Sequence, residues 1–227
     1  MRLVLFDVDG TLLLTDGASG RALRSALIQT YGLPNSLEAL RHDGKTDPQI
    51  VRETLSHHGK AKDFTGKKIS SVFSVYLAFL REELIAVDNF QVLPGARELV
   101  RTLDRQDNFL LGLATGNIEE GARLKLERAG LESFFSFGGF GSDAENRTEL
   151  NRIATERGRQ RIAPDAPERV FTVGDTPRDI VHGKEAGAAT LAVASGNYSL
   201  DDLRSHQPDL AVASLHPIEP ILEFLSS

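Results

Sequence analysis

Short unbroken apolar runs that alternate with helix-like stretches constrain this chain more than any other feature. Leu3–Phe6, Leu110–Ala114, Val170–Val173 and Leu191–Ala194 lack the every-second-residue pattern of a half-exposed strand, and each run gives way to small or polar residues. A strand that does not alternate is covered on both faces, as in a parallel sheet packed between helices. Leu210–Ala213 and Phe137–Phe140 are weaker strands of the same kind. Between these runs, Pro94–Leu103, Ile118–Ala129, Glu149–Arg157 and Pro177–Ala186 read as helices. The alternation predicts an α/β fold, a doubly wound (Rossmann-like) parallel sheet with right-handed crossovers. Ligands of such sheets bind beyond the carboxyl ends of the strands, so the polar strand ends are expected to meet along one edge.

The segment from Thr15 to Asn89 breaks the alternation. It reads as helices over Ser19–Tyr31, Pro48–His58 and Thr65–Val87, with no convincing strand. Asp47 is placed as an N-cap with Pro48 at the first helical position, and Gly59 closes that helix. Phe73, Tyr76, Phe79 and Leu80 share one stripe of the longest helix and read as core. An all-helical insertion after the first strand follows, with residues 15–89 as a cap and residues 1–14 and 90–227 as the α/β core.

The first run ends in "DVDGT", which sets Asp7 and Asp9 side by side where like charges repel. Thr115-Gly116-Asn117 ends the second core strand, and Asp175 and Asp179 follow the third. Carboxylates from two strand ends suit a hard, oxygen-seeking dication such as Mg2+, which takes one or two carboxylates together with substrate phosphate. A carboxylate is also a nucleophile toward phosphorus. The N–H groups of a helix starting near Ile118, just after Gly116, are expected to offer an anion site. Asp16 and Asp143 read as surface or turn acids, and His57 and His58 as solvated side chains at a helix C-terminus.

Charge excludes other classes. The net charge is −6 with acids and bases interspersed, which argues against nucleic acid or an anionic membrane as partner. No run approaches the roughly 18 apolar residues of a membrane helix, and Asp7 and Asp9 interrupt the first run too early for a signal peptide. The chain has no cysteine, which suits a reducing cytoplasm.

"DVDGT" at 7–11, "LATGN" at 113–117 and "VGDTPRDI" at 173–180 resemble, in order, the first, second and fourth motifs of the haloacid dehalogenase superfamily of phosphohydrolases. The insertion resembles that superfamily's helical cap, placed as in phosphoglycolate phosphatase and β-phosphoglucomutase relatives. The resemblance implies a Mg2+-dependent phosphatase of small phosphorylated metabolites working through an aspartyl-phosphate. It makes Asp7 the nucleophile and a metal ligand, and Asp9 the general acid and base whose backbone carbonyl also meets the metal. Thr115 becomes a phosphoryl-binding hydroxyl flanked by Gly116 and Asn117, and Asp175 the remaining metal ligand. The third motif departs from the usual Lys-Pro: "GSDAENRTEL" offers only Arg147, with Lys125 as the alternative cation. Thr176-Pro177-Arg178-Asp179 is also a helix cap, so Asp179 is divided between capping and orienting the site. Lys45, in the polar "HDGKTDPQI" loop of the insertion, is expected to meet a substrate anion.

A phosphomutase would share this core and differ in its product. A non-catalytic phosphate-binding regulator is a third reading, opposed by the intact Asp7, Asp9, Thr115 and Asp175. A dehalogenase would leave Asp9 and Asp175 without a task. Phosphonoacetaldehyde hydrolysis would give Lys45 a Schiff base, but relatives with that chemistry lack an acid at the place of Asp9.

Overall fold

The computed structural model describes residues 1–34, 37, 42–165 and 167–227. Its centre is a six-stranded parallel sheet of β1 (Arg2–Phe6), β4 (Phe109–Thr115), β5 (Gly138–Phe140), β6 (Arg169–Gly174), β7 (Ala189–Val193) and β8 (Leu210–Val212), in the order β5-β4-β1-β6-β7-β8. The two-sided burial expected of the apolar runs is met. Val4 and Phe6 of β1 pack with Leu99, Val100 and Leu103 of α4 (Ala96–Asp104), Leu126 of α5 (Glu119–Ala129) and Ile221 of α9 (Glu219–Ser226). Leu3 and Leu5 face the other way, against Leu150 and Ala154 of α6 (Arg147–Ile162). Strand pleat sends successive side chains to opposite faces, and each face has its helices.

The order of the strands builds the edge. Phe6 pairs with Leu113 on one side and with Val173 on the other, so the chain leaves β1, β4 and β6 at nearly the same height. Asp7, Thr115 and Asp175 therefore follow three adjacent strands. α7 (Pro177–Glu185) starts directly beyond β6, and α8 (Leu200–Ser205) lies between β7 and β8.

Residues after β1 leave the sheet. β2 (Leu13–Leu14) pairs antiparallel with β3 (Gln91–Val92), a two-stranded ribbon that brackets the insertion and that the sequence pattern did not reveal. Between them lie α1 (Ala18–Tyr31), α2 (Asp47–His57) and α3 (Gly66–Ala86). Ala18, Ala22 and Ala26 of α1 let it pack closely on Val72, Tyr76, Leu80 and Leu84 of α3, forming a second hydrophobic cluster. Ile118, from the sheet portion, joins that cluster. Phe73 and Phe79 are only partly buried against it, and Tyr76 and Leu80 are fully buried. α2 starts one residue earlier than expected. Thr46, not Asp47, is its N-cap and accepts from the Gln49 N–H; the Asp47 carboxylate is used elsewhere. α6 is longer than expected at both ends, beginning at Arg147 with Asn146 as its cap.

Candidate active site

Asp7 lies at the floor of the edge, 7 % exposed. Its Oδ1 accepts the Val8 N–H at 2.8 Å, and its Oδ2 lies 3.4 Å from Nη2 of Arg147. Burial pushes Asp7 up to about 6, with Arg147 opposing the shift and the charge of Asp179 adding to it. Asp175 accepts from the Thr11 hydroxyl at 3.1 Å and is raised well above the usual carboxylate range, first by burial and then by Asp179 and Asp7. A glycine is required between them and the turn: Gly10 has φ +79°, and a Cβ there would collide with the Asp175 carboxylate.

Asp179 caps α7 and also bonds Arg147. Its Oδ2 accepts from the Thr176 N–H and hydroxyl at 2.9 and 2.7 Å, forming a capping box at the start of α7. Its Oδ1 accepts from Nη2 of Arg147. Arg147 is 4 % exposed and also donates through Nη1 to the Gly44 carbonyl at 3.3 Å, reaching the helical insertion. Its Nε is buried with no hydrogen-bond partner among the described residues.

Asp7, Asp175 and Asp179 present one carboxylate oxygen each within 4.8 Å of one another, all buried. Arg147 is the cation paired with two of the three. An excess of buried negative charge is costly without a counter-ion. Hard oxygen donors in this arrangement fit a dication of the Mg2+ kind.

Asp9 belongs to a different environment although it is two residues from Asp7. Its Oδ2 accepts from Nδ2 of Asn117 at 2.8 Å and from Nζ of Lys125 at 2.7 Å, while its side chain keeps 40 % exposure. Asn117 also donates to the Thr115 hydroxyl at 2.7 Å and accepts from Lys125 at 2.5 Å. Lys125 is 1 % exposed. The two candidate cations thus serve different acids: Arg147 faces Asp7 and Asp179, and Lys125 faces Asp9. The ordinary surface role is excluded for Lys125 by its burial.

The expected anion site at the start of α5 is altered by the chain itself. The Ile118 N–H is taken by Oδ2 of Asp47 at 2.9 Å, the Glu119 N–H by the Ser142 hydroxyl at 3.2 Å, and the Asn117 N–H by Thr115 Oγ1 at 3.4 Å. A carboxylate from the insertion already occupies the favourable end of the helix. The Asp47 N–H in turn donates to the Gly116 carbonyl at 2.8 Å. Gly116 must be glycine here, because a Cβ would strike the Lys45 carbonyl. Burial pushes Asp47 up to about 6, with Lys125 opposing and Asp9 adding. The pattern "TDPQ" offers two capping residues in succession, and Thr46 takes the role expected of Asp47.

Lys45 lines the same cavity, but its Nζ is 2.5 Å from Oε2 of Glu53, whose other oxygen accepts from Gln49 at 2.8 Å. Asp16 and Asp143 are exposed, the latter bound to Arg157, and His57 and His58 are exposed as expected. The cavity between edge and insertion measures about 320 Å³.

The family model described as haloacid dehalogenase-like hydrolase matches residues 1–187. The chain belongs to that family. It is 29 % identical over 227 residues to the probable phosphatase IndB of Dickeya dadantii, covering 92 % of this chain and 88 % of the relative. It is 26 % identical over 223 residues to the phosphoglycolate phosphatase of Pseudomonas putida, covering 96 % and 79 %. Among solved structures, the β-phosphoglucomutase of Clostridium difficile superposes with a TM-score of 0.70 at 18 % identity, covering 99 % of this chain and 96 % of that one, a likeness of fold. As a haloacid dehalogenase-like hydrolase, the chain carries its acids on the carboxyl edge of the sheet, and no described helix is long and apolar enough to cross a membrane.

Proposed function

We propose that this hydrolase is a Mg2+-dependent phosphatase of small phosphorylated metabolites that works through an aspartyl-phosphate on Asp7. The observation that carries the reading is the separation of Asp7 from Asp9. Two carboxylates on one strand end meet opposite surroundings, one sunk among acids and Arg147, the other turned outward to Lys125 and Asn117. Divergent environments are how paired carboxylates divide nucleophile from acid.

Asp7 attacks phosphorus and the alcohol oxygen leaves; Asp9 gives that oxygen its proton. Asp9 then takes a proton from the water that hydrolyses the acyl phosphate, and phosphate is released. Thr115, with Gly116 and Asn117, binds the phosphoryl oxygens, and Arg147 supplies a guanidinium to the same group. Asp7 and Asp175, with the Asp9 backbone carbonyl, would hold the metal; bound there, Mg2+ neutralises charge on the transferring group. Asp179 holds Arg147 in position. Residues 15–89 act as a cap on a core of residues 1–14 and 90–227 and keep water and macromolecules from the edge. A cysteine-free chain of this kind suits the cytoplasm.

The test is hydrolysis of p-nitrophenyl phosphate with Mg2+ and with chelator, followed by intact-mass analysis during turnover. Activity should vanish in chelator, and a phosphate adduct should form on the wild type and not on Asp7→Asn. Full activity in chelator, or an adduct on Asp7→Asn, would refute the assignment. Release of inorganic phosphate in place of an isomeric ester separates hydrolysis from the mutase alternative.

A further inference from the structure

Among the described residues, the cavity wall that would meet the leaving group is rich in acids, and its lysines and arginine are paired. Asp9 marks where the alcohol departs. Beside it the insertion contributes Asp47, whose carboxylate is fixed by the Ile118 N–H at 2.9 Å and whose neighbouring cation, Lys125, is itself bonded to Asp9. Asp43 adds a second carboxylate, which accepts from the amide of Asn197 at 2.7 Å. Against these, the lysines and arginine lining the cavity among the described residues all have acid partners: Arg147 has Asp7 and Asp179, Lys125 has Asp9, and Lys45 has Glu53. The wall also holds Ser19, Tyr76, the apolar side chains Leu23 and Ile50, and His42, whose Nε2 lies 2.9 Å from the Leu37 carbonyl and whose Nδ1 has no hydrogen-bond partner among the described residues.

Resting on the phosphatase reading above, we propose that the leaving group accepted here is uncharged or cationic, an alcohol bearing hydroxyl or amino groups, and that Asp47 turns away esters whose leaving group carries a second anion. The physical basis is a built-in repulsive element. An anion entering beside Asp9 would lie against Asp47 and Asp43 as well, and like charges juxtaposed in a partly desolvated cleft are strongly disfavoured. A hydroxyl can donate to Asp47 and accept from Ser19 or Tyr76, and an ammonium gains a charge-assisted bond. Asp47 cannot swing aside to admit an anion, because its backbone N–H is bound to Gly116 as its side chain is bound to Ile118. Lys45 cannot offer its charge without leaving Glu53.

Three esters of one size test this: 2-hydroxyethyl phosphate, O-phosphoethanolamine and phosphoglycolate, whose two-carbon leaving groups are neutral, cationic and anionic. Each is run as a substrate and as a competitor of p-nitrophenyl phosphate, with Mg2+, in the wild type, Asp47→Asn and Glu53→Gln. In the wild type, kcat/KM for phosphoglycolate should fall below that of the neutral ester by roughly tenfold or more, the scale of one like-charge contact in a cleft. Asp47→Asn keeps an acceptor for Ile118 and should shrink that ratio at least threefold. Glu53→Gln, which frees Lys45, should move the ratio the same way. Phosphoglycolate equal to or better than the neutral ester, or a ratio unmoved in both variants, would overturn the proposal while leaving the phosphatase reading intact. Failure to hydrolyse p-nitrophenyl phosphate would instead overturn the reading beneath it.

Discussion

Raising the pH from 5 to 8 in the absence of Mg2+ should destabilise this protein, and the ion should remove part of the loss. Asp7 and Asp47 are each held at about 6 against an ordinary 3.8, chiefly by burial, and Asp175 is shifted in the same direction. A carboxyl with a higher pKa folded than unfolded binds its proton more tightly in the fold, so deprotonation costs stability. That cost begins above the unfolded value and is complete once the pH passes the folded one. For a folded value of about 6, the part incurred between pH 5 and 8 is roughly 1 to 2 kcal/mol per group. Glu53, Asp63, Glu185 and Asp202 are shifted downward and stay ionised in both states across this window, so they add no slope. At roughly 2–4 °C per kcal/mol for a chain of this size, Asp7 and Asp47 together should lower Tm by about 4 to 16 °C. Calorimetry in chelator at several pH values reads this directly. In the proposed site Mg2+ would engage the ionised carboxylates of Asp7 and Asp175, so it should raise Tm more at pH 8 than at pH 5, leaving the contribution of Asp47 in place. A Tm that climbs from pH 5 to 8 in chelator, or one raised equally by Mg2+ at both, would refute the reasoning.

Other outcomes follow from named contacts. Asp9→Asn should lower kcat by about 10² to 10⁴-fold yet still form some phosphoryl-enzyme from p-nitrophenyl phosphate, whose leaving group needs little protonation; intact mass detects it. Arg147→Ala should slow every phosphate ester alike and, by leaving buried carboxylates unpaired, cost roughly 3–5 kcal/mol of stability in chelator; selective loss for one ester would place Arg147 against the leaving group. Gly116→Ala should cut kcat/KM by roughly two decades with the circular dichroism of the fold retained, because its Cβ meets the Lys45 carbonyl; unchanged kinetics would mean that this approach is absent during turnover.

The sheet was legible because burial on both faces removes alternation from a strand, and "LVLF" carries that mark without help from the rest of the chain. "TPRD" was legible for a similar reason: capping is local chemistry, and Asp179 does cap α7 while holding Arg147. The burial of Lys125, named above as the alternative cation, was not legible. Its helix reads "EEGARLKLERA", with charges around its circumference, and only contact with Asp9 explains a buried lysine there. The β2–β3 ribbon has two residues per strand, too few for any periodicity. Arg147 could be chosen as the cation of its segment, but its position at the first turn of α6 depends on Asn146 taking the cap.

What the sequence hides most thoroughly is that the insertion and the sheet are not separate bodies joined at a hinge. Ile118 buries its side chain in the cluster of α1 and α3, and its N–H is held by Asp47 of α2. The same turn carries Thr115 and Asn117, and Asn117 bonds Asp9. Displacing α2 would expose the Ile118 N–H and the Gly116 carbonyl together and loosen the turn that orients Asn117 toward Asp9. Arg147 spans the other side, bonding Asp7, Asp179 and the Gly44 carbonyl at once. Asp7 is therefore tied through Arg147 to the Gly44 carbonyl, and Asp9 through Asn117 and its neighbour Ile118 to Asp47 at the start of α2. The paired acids at the end of β1 are held apart in character by helices distant in sequence, and those helices hold their places in part through the insertion. An arrangement of this kind makes the chemistry of Asp7 and Asp9 depend on whether residues 42–47 are seated on the edge.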